Sequence, residues 1–126
     1  MINLVLVGAG GAAGAIARYL TGVAWMRTAG PAQPYLATLI CNVLGGLLMG
    51  LLIGVLAHKG GSERARLLLA VGVLGGYTTF SSFTLEAVMM IERRAYGTFA
   101  AYVLGSVVLC LLALMAGLLL TRKLLA

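Results

Sequence analysis

Four uncharged apolar stretches recur along the chain: residues 1–17, 28–57, 67–85 and 95–121 contain no Lys, Arg, Asp or Glu. A bilayer-crossing helix needs roughly 20 mostly apolar residues, so each stretch supplies one span. The first does so only if Arg18 lies within the span or snorkels near its end. The runs are continuously apolar and lack the period-two alternation of barrel strands, which selects helices. The pattern predicts helices over residues 3–25, 35–58, 64–92 and 98–123. The first connection holds Pro31 and Pro34, the second is Lys59-Gly60-Gly61-Ser62, and the third runs from Arg94 to Gly97. None is long enough for a soluble domain, so residues 1–126 read as a single all-α membrane domain. The N-terminus has no basic segment before its apolar run, and it reads as the first helix rather than a cleaved signal peptide.

Glycine punctuates these spans at a fixed interval. Gly10/Gly14, Gly46/Gly50/Gly54 and Gly72/Gly76 are four-residue steps, and small residues so spaced let helix backbones approach closely in lipid. Four helices are few to enclose a pore and also bury every stripe, so the expectation is an oligomer.

Composition agrees with lipid as the surrounding solvent. Of the residues, 62% are hydrophobic and 10% charged, with mean hydropathy +1.08, where a soluble domain carries about 25% charged residues. The net charge of +6 does not point to nucleic acid. Arg27, Lys59, Arg64, Arg66, Arg93, Arg94, Arg122 and Lys123 sit between or beyond the spans, where they anchor to anionic lipid headgroups. With four spans, Lys59, Arg64, Arg66, Arg122 and Lys123 share one side, and Arg27, Arg93 and Arg94 the other. Five basic residues against three is a weak orienting bias that permits insertion both ways up. Cys41 and Cys110 lie in apolar spans without metal-ligand spacing and read as small hydrophobes.

Polar groups inside a membrane are costly and mark function. The densest cluster is Gly75-Gly76-Tyr77-Thr78-Thr79-Phe80-Ser81-Ser82-Phe83-Thr84, followed by Glu86. Adjacent glycines and consecutive β-branched or aromatic residues predict a break in the third helix, freeing backbone groups near the midplane. Phe80 and Phe83 share a helix face, Thr79 and Ser82 an adjacent one, and Ser82 and Glu86 lie four apart. Asn42 brings an amide into the apolar second span, Thr38 extends its face, and Arg18 is the third polar outlier. Hydroxyl and amide N–H groups beside phenyl edges, which carry the positive end of the ring quadrupole, suit a small anion.

At this point the chain resembles the Fluc family of fluoride channels. The resemblance rests on 11–19 (Gly11 to Arg18-Tyr19), Asn42-Val-Leu-Gly45-Gly46, the third-span motif through Glu86, and Tyr102 early in the fourth span. It implies an antiparallel, dual-topology homodimer with two pores in a bacterial inner membrane. It also implies a structural Na+ at the dimer centre, held by the carbonyls of Gly75 and Thr78. By the same resemblance Phe80 and Phe83 line the pore, Asn42 donates to fluoride, and Thr38, Thr79, Ser82 and Tyr102 continue the polar track. Arg18 and Glu86 are vestibule candidates. Residue chemistry alone reaches a small-anion pathway; fluoride comes from the resemblance.

Two other readings compete. A proton-coupled multidrug exporter needs a carboxylate deep in a span, yet the first two spans hold no acid. A non-transporting assembly subunit leaves the motif cluster without a task. An enzyme is disfavoured because His58 sits at a membrane edge with no nucleophile or metal-ligand partner beside it.

Overall fold

The computed structural model describes residues 1–125, apart from the Lys59 side chain, so the headgroup anchoring expected of Lys59 lies outside the described residues. Among them four helical spans are long and apolar enough to cross a membrane: Ile2–Ala29, Tyr35–His58, Glu63–Glu92 and Tyr96–Leu125. The chain is therefore a multi-pass membrane protein. The first, second and fourth are the helices α1 (Ile2–Ala29), α2 (Tyr35–Lys59) and α6 (Tyr96–Leu125). The third is composite: α3 (Glu63–Ala65), a π-helix (Arg66–Leu74), α4 (Gly75–Tyr77), a break, and α5 (Phe80–Glu92). Nothing in the residue pattern announced the π-helix, whose wider register ends where the Gly75 N–H donates to the Ala70 carbonyl, five residues back.

The break is where it was expected, and of the two causes named for it the β-branched residues apply. Gly75 and Gly76 are helical, and the extended residues are Thr78 (φ −80°, ψ 156°) and Thr79 (φ −151°, ψ 122°). β-branched threonines favour extended backbone, so they leave the helix while the glycines serve packing.

That packing defines two tight pairs. Gly10 and Gly14 of α1 face Gly72 and Gly76 of the third span; a Cβ on Gly72 would come within 2.8 Å of the Gly10 Cα. Gly46, Gly50 and Gly54 of α2 face α6 at Cys110, Leu114 and Thr121, and Gly117 answers from α6 against Leu47 and Leu51. The Thr121 hydroxyl donates along its own helix to the Gly117 carbonyl at 2.8 Å and lies 3.3 Å from the Leu51 carbonyl of α2. Between apolar helices in apolar lipid, close van der Waals contact supplies the association. Every predicted glycine step is thus used inside one protomer, and the stripes lend no support to an oligomer, contrary to the expectation from their number.

α5 lies against both α2 and α6, with a small core of Phe83, Met90 and Tyr102 surrounded by Tyr35, Leu39, Ala95, Phe99 and Val103. The large apolar residues instead point outward, among them Leu4, Tyr19, Leu104, Leu111 and Leu124, as a lipid-facing surface requires. At the ends, Gly60 takes the left-handed conformation that closes α2 (φ 63°, ψ 50°), and the Trp25 indole holds the first connection through the Gln33 carbonyl at 3.1 Å.

Candidate functional site

The break frees specific backbone groups, and several of them find new partners. In an unbroken helix the Thr79 N–H would donate to the Gly75 carbonyl, the Phe80 N–H to Gly76 and the Ser82 N–H to Thr78. Here Thr79 N–H donates to Asn42 Oδ1 at 2.8 Å, while Asn42 Nδ2 donates to the Thr79 carbonyl at 3.0 Å. The side-chain amide of α2 therefore stands in for a neighbouring strand and satisfies both backbone groups of one extended residue. Ser82 N–H turns to Thr79 Oγ1 at 3.1 Å, so Thr79 caps α5. Its hydroxyl also lies 3.2 Å from those of Ser81 and Ser82.

Arg18 turns inward rather than snorkelling, and its Nε donates to the Gly76 carbonyl at 3.2 Å. Three residues along α1, Thr21 lies 3.2 Å from the Tyr77 hydroxyl. Together they tie the end of α4 to α1. The carbonyls of Gly75 and Thr78 have lost their helical donors to Asn42 and Thr79, whereas the Gly76 carbonyl has gained a guanidinium.

Against this break lies an open cavity of about 360 Å³. Its polar lining is Asn42, Thr78, Thr79, Ser106 and Cys110, and Phe80 and Phe83 form part of its wall. The Phe80 ring is 75% exposed on the protomer surface, while Phe83 is 8% exposed and 5.4 Å away between ring centroids. One hydrogen of the Asn42 amide goes to Thr79, which leaves its second N–H for the cavity. Ser106, 5% exposed, carries a buried hydroxyl with no partner. It is a polar residue in an apolar span four positions after Tyr102, and that polarity is the one signal the residue pattern carries for it.

The remaining predicted residues gather elsewhere. Thr38 and Tyr102 both donate to the Glu86 carboxyl group, at 2.7 and 2.5 Å. They form a hydroxyl–carboxyl cluster joined to the cavity through rings: Tyr102 stacks on Phe83 at 5.3 Å, and Tyr35 meets Tyr102 edge-on at 5.1 Å. Glu86 does not line the cavity, and its oxygens are already engaged, which disfavours an exporter's exchangeable acid. Tyr102→Phe removes one donor from this carboxyl group. A hydrogen bond to a charged group contributes about 1.5–3 kcal/mol, so the variant should lower the melting temperature in detergent while remaining folded; an unchanged melt would show that the bond carries no stability.

The site is therefore lined by the Asn42 amide, by threonine and serine side chains and by the rings of Phe80 and Phe83, with the N-terminus of a 13-residue helix, α5, opening beside it. Donors and the positive end of a helix suit an anion.

Comparison with known proteins points the same way. The family described as CrcB-like protein, Camphor Resistance (CrcB), matches residues 5–118. The chain is 62% identical over 128 aligned positions to a protein of Phenylobacterium zucineum (strain HLK1) named fluoride-specific ion channel FluC, with both chains covered in full. Proteins of the same name from Caulobacter vibrioides (strain NA1000 / CB15N) and Agrobacterium fabrum (strain C58) are 56% and 50% identical; the alignments cover 100% of both chains, and 98% of this chain with 99% of the other, respectively.

Proposed function

The chain belongs to the CrcB-like protein family, and from that premise we propose that it is a fluoride-specific ion channel, letting the ion pass down its gradient. The observation that carries the reading at this site is the cavity at the Thr78–Thr79 break. There Asn42, with an N–H to spare, and Ser106 line the same cavity as Phe80 and Phe83. A small anion entering lipid must exchange water for donors at close range, because an unpaired charge in low dielectric is costly. Asn42, Ser106 and the phenyl edges provide such replacements in one place. Thr78 and Thr79 add hydroxyls, and Thr38, Ser82, Tyr102 and Glu86 extend a polar track along α5, with Arg18 on the α1 side as the basic group of a vestibule.

The half-open cavity and the exposed Phe80 support a second copy of this chain closing the path. The weak charge asymmetry supports an inverted arrangement in a bacterial inner membrane, with two pores per homodimer. Na+ fits the same assembly: the released carbonyls of Gly75 and Thr78 are hard oxygen donors, and two copies would supply four. When bound there, the cation supplies positive charge that offsets the cost of a nearby anion.

Purified protein in liposomes should release fluoride and retain chloride, measured with ion-selective electrodes; equal release of both would remove the selectivity. Cysteines placed at the Gly60–Gly61 turn and in the Arg94–Gly97 connection should crosslink between copies only in the inverted pairing. A dimer trapped solely in parallel would contradict that assembly.

A further inference from the structure

A positive charge is built into the membrane span beside the break. Arg18 lies within the α1 span, half-buried, and its Nε donates to the Gly76 carbonyl at 3.2 Å. Arginine is a permanent cation. Among the described residues no carboxylate pairs with it: the ion pair present is Glu63 with Arg66, and Glu86 is bonded to Thr38 and Tyr102. The place of the Arg18 bond matters as much as its charge. A helical run from Glu63 ends at Tyr77, and the last four carbonyls of a helix have no donor within it. The Leu74 carbonyl accepts from the Thr78 N–H at 3.0 Å and from the Thr78 hydroxyl at 2.9 Å. The Gly76 carbonyl accepts from Arg18, while the donor due to Gly75 has gone to Asn42. Gly75 and Gly76 are both helical, so their carbonyls point the same way along the axis. The guanidinium charge therefore sits on the carbonyl next to that of Gly75.

We propose, resting on the cation reading above, that Arg18 restricts the carbonyl seat at the break to monovalent cations by holding divalent ions off. Ligand type does not make that choice, because backbone carbonyls are ordinary ligands of Ca2+. Charge does. Coulomb repulsion scales with the product of the charges, so the guanidinium opposes Ca2+ twice as strongly as Na+ in the same place. With no carboxylate pairing with Arg18, nothing offsets that difference, and a second copy sharing the seat would double it. The Nε contact also shows how charge and bond can be separated. Nε2 of glutamine stands as many bonds from Cα as Nε of arginine. Arg18→Gln therefore keeps an N–H for the Gly76 carbonyl and removes the charge, whereas Arg18→Lys keeps the charge.

The test is thermal unfolding of the full chain in mild detergent and choline chloride, with NaCl or CaCl2 added at matched ionic strength. Binding to the folded state alone raises the melting temperature. The unmodified protein should be stabilised by NaCl and not by CaCl2. Arg18→Gln should respond to NaCl at about tenfold lower concentration, as removal of a nearby like charge requires, and should gain a saturable response to CaCl2. Arg18→Lys should still exclude CaCl2. Stabilisation of the unmodified protein by CaCl2 would overturn the restriction, and this arm needs no substitution, so a variant that fails to fold leaves it decisive. A NaCl response without a CaCl2 response in Arg18→Gln would overturn it too. If Arg18→Lys admits CaCl2, the bond and not the charge is responsible, and the assignment fails. No response of the unmodified protein to NaCl would remove the cation reading itself, and the role of Arg18 with it.

Discussion

Replacing Asn42 with leucine should reduce fluoride efflux by about 100-fold while the chain still inserts and folds. The substitution keeps the branching at Cγ in a larger side chain but removes both partners of Thr79. A buried backbone group without a partner costs about 1–3 kcal/mol, and here the N–H and the carbonyl are orphaned together. Thr79 would then recover a donor by slipping back toward helical backbone, returning its N–H to the Gly75 carbonyl. That single rearrangement closes the break, withdraws one of the two released carbonyls and re-aims Phe80. A loss of roughly 3 kcal/mol at the narrowest point corresponds to the stated two orders of magnitude. Size-exclusion chromatography and liposome efflux measured on the same preparation decide it. Efflux equal to that of the unmodified protein would remove Asn42 from the path.

Gly14→Leu should prevent recovery of folded protein from the membrane, whereas Gly11→Ala should be nearly silent. The two glycines are three residues apart in one motif, yet their surroundings differ. A Cβ on Gly14 would collide with the Val73 carbonyl oxygen and approach Tyr77 N at 2.7 Å, whereas a Cβ on Gly11 meets nothing within 4 Å. Backbone cannot rotate aside as a side chain can, so α1 would have to separate from the π-helix and α4. Overpacking costs about 1–3 kcal/mol or more even in adaptable cores, and in lipid no hydrophobic drive compensates. Separation would also break the Arg18 and Thr21 ties to Gly76 and Tyr77. Yield of monodisperse protein in mild detergent reads the outcome. Normal recovery of Gly14→Leu would show that the α1 contact is dispensable.

The contrast between Gly11 and Gly14 shows where sequence reasoning stops. Four-residue spacing identified a contact face correctly, but not which helix would meet it, and it pointed outward to a second copy when the stripes were used within one chain. The third span shows the same division. Its cluster located the break to within a few residues, yet the glycines and the β-branched run shared the credit, and only Thr78 and Thr79 leave the helix. Polar residues in apolar spans were singled out from their cost and Tyr102 from the family resemblance, and Asn42, Thr38, Tyr102, Glu86 and Arg18 each make a half-buried bond. Their partners were not legible. Thr38 and Tyr102 meet at Glu86, and Asn42 spends one of its donors on Thr79. Ser106 passed without notice and Cys110 was read as a small hydrophobe, because a place on a cavity wall is encoded by no local pattern.

The sequence by itself determined the four spans, the lipid-facing surface and the site of the helix break, because the length and polarity of a membrane helix are set locally by what lipid tolerates. Only the tertiary structure decided which donors remain free, because a hydrogen bond requires approach to about 3 Å between groups that are, for Asn42 and Thr79, 37 residues apart in the chain. What a polar group can offer an anion is what its neighbours have left unused, and that is a property of packing.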